Sequence, residues 1–232
     1  SGSTRTESFG AVTVTATLDT ISGVDVTVPV TMSGTATGSG TDYTLSSSSI
    51  SIPAGSLTGT TTLTIVDDTL YESATETAIV TMGTVVNANK VSPSTYTLTI
   101  TENDSAPTVS LTSSTISATE ADQTEVTLTA TASGMSATDI TANLAYSGTA
   151  VSADVSSQPA SITILAGSLT GTASFTVVDD SIDEDSENVI VDISGVSGGS
   201  ENSTQQKTIA ISDNDTASVT LVESSTSTDV TE

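Results

Sequence analysis

Apolar and polar residues alternate with a period of two along almost the whole chain. Val12, Val14, Ala16 and Leu18 are separated by polar residues, and so are Val24, Val26, Val28 and Val30. The alternation returns at Leu63/Ile65, Val80/Met82 and Tyr96/Leu98/Ile100. It continues at Val126/Leu128/Ala130, Ile140/Ala142/Leu144/Tyr146, Phe175/Val177, Val189/Val191/Ile193 and Ile209/Ile211. Successive strand side chains point to opposite faces, so each segment predicts a strand with one buried and one wet face. Threonine fills most wet positions, where a β-branched hydroxyl residue suits a half-exposed sheet. No stretch has helical periodicity. About seven strands in each half, separated by Gly, Ser, Asn and Asp clusters, predict an all-β chain of antiparallel two-sheet sandwiches. Small aliphatics supply the predicted core; the only aromatics are Phe9, Phe175, Tyr43, Tyr71, Tyr96 and Tyr146. The expectation is a narrow sandwich without room for a large ligand cavity.

The halves repeat one another. Ile52-Pro53-Ala54-Gly55-Ser56-Leu57-Thr58-Gly59-Thr60 reappears 112 residues later as Ile164-Leu165-Ala166-Gly167-Ser168-Leu169-Thr170-Gly171-Thr172. Val66-Asp67-Asp68 and Glu72 answer to Val178-Asp179-Asp180 and Glu184, and Glu102-Asn103-Asp104 answers to Asp213-Asn214-Asp215. Glu7, Glu120 and Glu232 fall at equivalent positions, and Ser218-Val219-Thr220-Leu221 resembles Thr108-Val109-Ser110-Leu111. A period near 112 residues is too long for a solenoid unit and suits an independent sandwich. The expected organisation is a first repeat over 1–104 lacking its first strand, a second over 105–216, and the opening strand of a third at 217–232. Read this way, the chain is a stretch of a longer array. The junction Glu102 to Pro107 is short, and Pro107 restrains its backbone, which allows limited hinge motion.

Charge changes the picture. Three basic residues (Arg5, Lys90, Lys207) face 28 acidic ones, for a net charge of −25. Nucleic acid and anionic membranes need cations that this chain lacks. No apolar run is long enough to span a membrane and no signal peptide opens the chain, so membrane insertion is not expected. Cysteine and histidine are both absent, which excludes disulfides, thiolate sites and the commonest general base. The acids gather where strands end: Glu7, Asp42, Asp67-Asp68, Glu72, Glu76 and Glu102/Asp104 in one repeat, and Glu120, Asp154, Asp179-Asp180, Asp183-Glu184, Glu187 and Asp213/Asp215 in the other. Alternate strand ends share a pole of a sandwich, so Asp67-Asp68 and Glu102-Asn103-Asp104 can meet there. Two like charges about 4 Å apart cost about 4 kcal/mol at an effective dielectric of about 20. A cation among them removes that cost. Calcium, with six to eight oxygen ligands in flexible geometry, fits better than octahedral magnesium, and zinc would want His or Cys. Neither an EF-hand loop nor the glycine-rich calcium nonapeptide is present.

Asp42-Tyr43, Ile52-Pro53-Ala54-Gly55-Ser56, Asp67-Asp68, Glu72 and the closing Ile100-Thr101-Glu102-Asn103-Asp104 resemble the Calx-β domain family. Asp154, Ala166-Gly167-Ser168, Asp179-Asp180, Glu184, Glu187 and Asp213-Asn214-Asp215 carry the same resemblance in the second repeat. The resemblance implies tandem immunoglobulin-like sandwiches that bind calcium near each C-terminal pole, as in sodium–calcium exchanger regulatory domains. It also implies kinship with extracellular array modules of bacterial surface proteins and adhesins. The ligand candidates it carries over are Glu7, Asp42, Asp67, Asp68, Glu72, Glu76, Glu102 and Asp104, with Glu120, Asp154, Asp179, Asp180, Glu184, Glu187, Asp213 and Asp215. The middle acid of the closing triplet is Asn in both repeats, and Glu76 and Glu187 differ by one residue in spacing from the preceding glutamate. Both departures bear on the number of calcium subsites and their affinity.

The leading functional reading is a calcium-stiffened spacer or adhesion module at the cell surface. Its expected partners are neighbouring repeats, including copies joined head to tail by strand addition, and an adhesion target that the sequence does not name. A calcium-sensing regulatory pair and a carbohydrate- or protein-binding adhesin module are the alternatives. Paired carboxylates could also serve a glycosidase, but every acid is better placed as a metal ligand, so the chain is not expected to be an enzyme.

Overall fold

The structure is a computed structural model that describes residues 1–222. Glu232 and the rest of the expected third-repeat strand past Val222 lie outside the described residues. The first repeat contains β1 (Gly2–Thr6), β2 (Ala11–Thr17), β3 (Val26–Gly34), β4 (Tyr43–Leu45), β5 (Ser49–Ile52), β6 (Thr58–Ile65), β7 (Glu76–Met82) and β8 (Thr95–Thr101). The second contains β9 (Thr108–Ser113), β10 (Ser117–Thr119), β11 (Glu125–Ala132), β12 (Ile140–Gly148), β13 (Val155–Ser156), β14 (Ser161–Ile164), β15 (Thr170–Val177), β16 (Glu187–Ser197), β17 (Ser200–Glu201) and β18 (Gln206–Ser212). Each repeat is a sandwich: β1-β8-β7-β3-β5 over β2-β6-β4, and β10-β18-β16-β12-β14 over β13-β15-β11-β9-β17. The segments outnumber the seven expected per repeat. The two-residue pieces β13 and β17 add to the count, and the opening strand of the second repeat divides between the sheets. Its first part, β9, pairs antiparallel with β11, and its second part, β10, pairs parallel with β18.

The period-two alternation becomes burial. Val26, Val28 and Val30 line the first core, and Val126, Leu128 and Ala130 the second. Val24 departs from the predicted run: it is exposed in a turn where its N–H donates to the Ser22 hydroxyl at 3.1 Å, and β3 begins only at Val26. In the second core the Tyr146 ring meets Phe175 edge-on at 6.3 Å between centroids, a favourable aromatic geometry.

The repeated Ala-Gly-Ser-Leu-Thr-Gly-Thr motif is architectural. Asp25 and Asp139 each accept a backbone N–H, from Ala54 and Ala166 respectively, both at 2.8 Å, and so pin the loop. Gly55 and Gly167 then turn with φ of +80° and +72°, where glycine has no steric penalty. Gly59 and Gly171 lie so close to the opposite sheet that a Cβ would stand 2.2 Å from the Ser51 and Thr163 carbonyl oxygens.

The sandwiches differ at one edge. β1 corresponds to β10, since each pairs parallel with the last strand of its repeat. Among the described residues nothing in the first repeat corresponds to β9, so β2 is an edge strand. Where β9 covers Ala130 and Ala132, their counterparts Ala16 and Leu18 remain half-buried. A groove of about 320 Å³ opens there between the sheets.

Candidate metal centres

The acidic residues occupy turns and strand ends at one pole of each sandwich. Glu7 opens a 3-10 turn (Glu7–Phe9) after β1, and Glu120 follows β10. Asp42 and Asp154 precede β4 and β13, Glu76 and Glu187 begin β7 and β16, and the closing triplets follow β8 and β18. Antiparallel pairing brings these ends together, since the start of β7 lies beside the end of β8 and the start of β16 beside the end of β18. One carboxylate oxygen from each of Glu7, Glu102 and Asp104 lies within 4.8 Å of the other two, and the same holds for Asp42, Glu72 and Glu76. The second repeat reproduces both groups as Glu120, Asp213, Asp215 and as Asp154, Glu184, Glu187. Glu76 and Glu187 therefore reach equivalent places despite their different spacing.

Backbone donors hold the groups in matching ways. Glu102 accepts the N–H of Asp104 at 2.6 Å with one oxygen and the N–H of Glu72 with the other. Asp213 does the same for Asp215 and Glu184, each at 2.9 Å. These bonds join the two groups of each pole through Glu72 and Glu184. Asp42 accepts the N–H of Thr37, and Asp154 that of Val151 at 2.5 Å. Asp67, Asp68, Asp179 and Asp180 stand beside the groups rather than inside them. Asp68 and Asp180 accept the N–H groups of Leu70 and Ile182 at 2.7 and 2.8 Å. Asp67 and Asp179 accept the side-chain amides of Asn103 and Asn214 at 3.1 and 3.3 Å. The amide in the triplet thus donates where a third acid would repel.

Electrostatics at the poles is one-sided. Burial, then the charges of Glu102, Glu72, Asp68 and Asp104, push the Glu7 carboxyl up to about 7. Burial, then Asp213, Glu184 and Asp180, raise Glu120 to about 7 as well. Glu76 rises to about 7 through burial and Asp42, and Glu187 to about 7 through its hydrogen bond with Asp154 and burial. Asp213 is held low by the N–H groups of Asp215 and Glu184. Two of the three basic residues are engaged elsewhere: Arg5 stacks over Phe9 at 4.5 Å, and Lys90 donates to the Met82 carbonyl at 2.8 Å.

Asp183, which the ligand set from the sequence omits, belongs to the second pole. It accepts the N–H of Ala217 at 2.9 Å, and its charge adds to burial and to the charges of Asp213, Asp179 and Asp180 in raising Asp215. Its place in the acidic run Asp179 to Glu184 was the available signal. The counterpart in the first repeat is Tyr71, which does something different: its N–H donates to the Met135 carbonyl and its carbonyl accepts the Ala137 N–H, both at 3.0 Å. The acidic loop of one repeat is thereby bonded to a loop of the next.

The described residues contain no helix long and apolar enough to cross a membrane. The family described as Calx-beta domain matches residues 3–104 and 102–215. Among curated proteins none matches. Among solved structures, the chain is similar to the calcium binding domain CBD12 of CALX1.1 at 17% identity, over 82% of this chain and 76% of that one, with a TM-score of 0.41. CBD12 from CALX1.2 is similar at 16% identity over 82% and 76%, with a TM-score of 0.40. The adhesin InvE of Yersinia pseudotuberculosis is similar at 13% identity over 87% and 58%, with a TM-score of 0.34.

Proposed function

Because the chain belongs to the Calx-beta domain family over both repeats, we propose that it binds calcium at the acidic pole of each repeat and serves as a spacer or adhesion module of an extracellular repeat protein. One observation carries the reading. Buried carboxylate oxygens of Glu7, Glu76 and Asp104, and of their counterparts Glu120, Glu187 and Asp215, have no hydrogen-bond donor. A buried polar atom left unpaired costs about 1–3 kcal/mol, and more when charged. The orphan atoms recur at equivalent positions and belong to the oxygen groups described above. Calcium takes six to eight oxygens, carboxylate and carbonyl alike, and would be held by Glu7, Glu102 and Asp104 and by Asp42, Glu72 and Glu76, with their second-repeat equivalents. Once bound it would neutralise the mutual repulsion and fix the loops that carry these acids. Because Asp104 also begins the linker and Tyr71 adjoins Glu72, a bound ion would restrain the junction as well.

Titration calorimetry tests the assignment. Calcium is expected to bind with much higher affinity than magnesium, and Glu7→Gln/Glu120→Gln to lose most of that affinity. Equal affinity for the two ions, or full calcium binding by the double variant, would contradict the proposal.

A further inference from the structure

Seven asparagines occur in the chain, and three of them open the pattern Asn-x-Ser/Thr, in which an asparagine that can accept a sugar is followed two residues on by a hydroxyl. These are Asn103-Asp104-Ser105, Asn202-Ser203-Thr204 and Asn214-Asp215-Thr216. We infer that Asn103, Asn202 and Asn214 are sites of N-glycosylation, each taking a sugar from a phosphate-activated donor. The inference rests on the reading of the chain as an exported module and not on the calcium sites.

In a chain this rich in Ser and Thr the pattern alone decides little; its placement decides. An acceptor amide must enter the site of a transferase, which irregular surface backbone allows and a sheet ladder does not. Asn103 and Asn214 lie outside the strands, just past β8 and β18, and Asn202 lies in the turn between β17 and β18. All three are exposed, and so are the partner hydroxyl residues Ser105, Thr204 and Thr216. In that turn Ser203 adopts a φ of +58°, and its N–H donates to the Glu201 carbonyl at 3.1 Å. The two asparagines inside strands, Asn143 of β12 and Asn188 of β16, are followed two residues on by Ala145 and Ile190 and lack the pattern.

The amide chemistry is compatible with the fold. A side-chain amide nitrogen carries two hydrogens. Asn103 donates one to the Asp67 carboxylate at 3.1 Å, Asn214 one to Asp179 at 3.3 Å, and Asn202 one to the Ser110 hydroxyl at 3.0 Å. Glycosylation replaces the other. A bond forms between Nδ2 and the anomeric carbon of the sugar. The bond from that carbon to the donor's phosphate oxygen breaks, the phosphate leaves with the electron pair, and the amide proton passes to a base on the transferase. The remaining N–H keeps its bond to Asp67, Asp179 or Ser110, so the sugar is added without unpairing an acid at the pole. β18 runs from the Asn202 turn to the closing triplet, so both ends of the second sandwich would carry a sugar.

Mass spectrometry of peptides from the protein, purified from the cells that make it, tests this. The peptides that hold Asn103, Asn202 and Asn214 should each be heavier than their sequence by one or more sugar residues. Addition of single sugars marks a nucleotide-linked donor, and addition of a preassembled chain marks a lipid-linked one. A Ser105→Ala/Thr204→Val/Thr216→Val variant leaves every asparagine and every calcium candidate in place. It should lose the added mass and bind calcium as the parent does. Each site is scored separately: a peptide at its sequence mass, or a sugar retained after the hydroxyl is removed, overturns the assignment of that site. Fractionation of the same cells tells the failures apart. Bare asparagines on an exported chain overturn this inference alone, and bare asparagines on a chain kept inside the cell overturn it together with the export reading.

Discussion

Glu7 and Glu120 are carboxylates buried among other carboxylates, and their protonation records it. With Glu76 and Glu187 they titrate at about 7 in the fold, against 4.5 for an ordinary glutamate. The folded metal-free chain therefore holds protons that the unfolded chain has released. Its stability is greatest below pH 4.5 as far as these groups are concerned, and is lost as pH rises through about 7. Urea melts in chelator should show higher stability at pH 5 than at pH 8. In saturating calcium the order should reverse, because the ion must displace those protons. Glu120→Gln isolates the same effect. It should stabilise the chelated chain by about 1 kcal/mol by removing one like charge. It should also weaken calcium binding by about tenfold, or 1.4 kcal/mol. Calorimetry and melts of one variant measure both.

Strands were the most legible part of the fold, because alternation such as Val126, Leu128, Ala130 maps directly onto one buried face. Val24 fitted the same alternation and fell outside β3, since a local Ser22 hydrogen bond turned the backbone first. The most conspicuous sequence motif, Ala-Gly-Ser-Leu-Thr-Gly-Thr, proved to be about sheet approach rather than chemistry. Gly171→Ala should cost about 1–3 kcal/mol of overpacking, as a Cβ there would meet the Thr163 carbonyl at 2.2 Å. Gly134→Ala, where a Cβ would meet nothing within 4 Å, is the control and should be nearly neutral in denaturant melts. The acidic groups were legible as strand-end residues. Their division into two sets per pole was not, because it depends on which loop ends lie side by side; Glu102 and Asp213 then link the two sets by accepting N–H groups about thirty residues away. The meeting of Asp67-Asp68 with the closing triplet was expected, but not that the Asn103 amide donates to Asp67 there. The size of the groove was not legible: it follows from what covers Ala16 and Leu18, not from their own pattern.

Across the whole molecule the two sandwiches meet at a short junction whose linker is anchored on the second repeat and whose one tether between repeats is Tyr71 among the described residues. Pro107 is buried at the linker's end and accepts the Ser200 N–H at 3.0 Å. Tyr71 bonds the acidic loop of the first repeat to Met135 and Ala137. A cation held by Glu102 and Asp104 would fix the other end of the linker, so small-angle scattering should give a longer, less bendable particle in calcium than in chelator. Asp104→Ala should blunt the change, and an unchanged maximum dimension would count against calcium control of the junction. The central claim is that the poles are calcium sites, and thermal melting in calcium, in magnesium and in chelator tests it most directly. An ion that binds only the folded state stabilises it by about 2.7 kcal/mol at a hundredfold excess over its dissociation constant. The melting temperature should therefore rise clearly in calcium and little in magnesium, relative to chelator. Superimposable curves in calcium and in chelator would contradict the account.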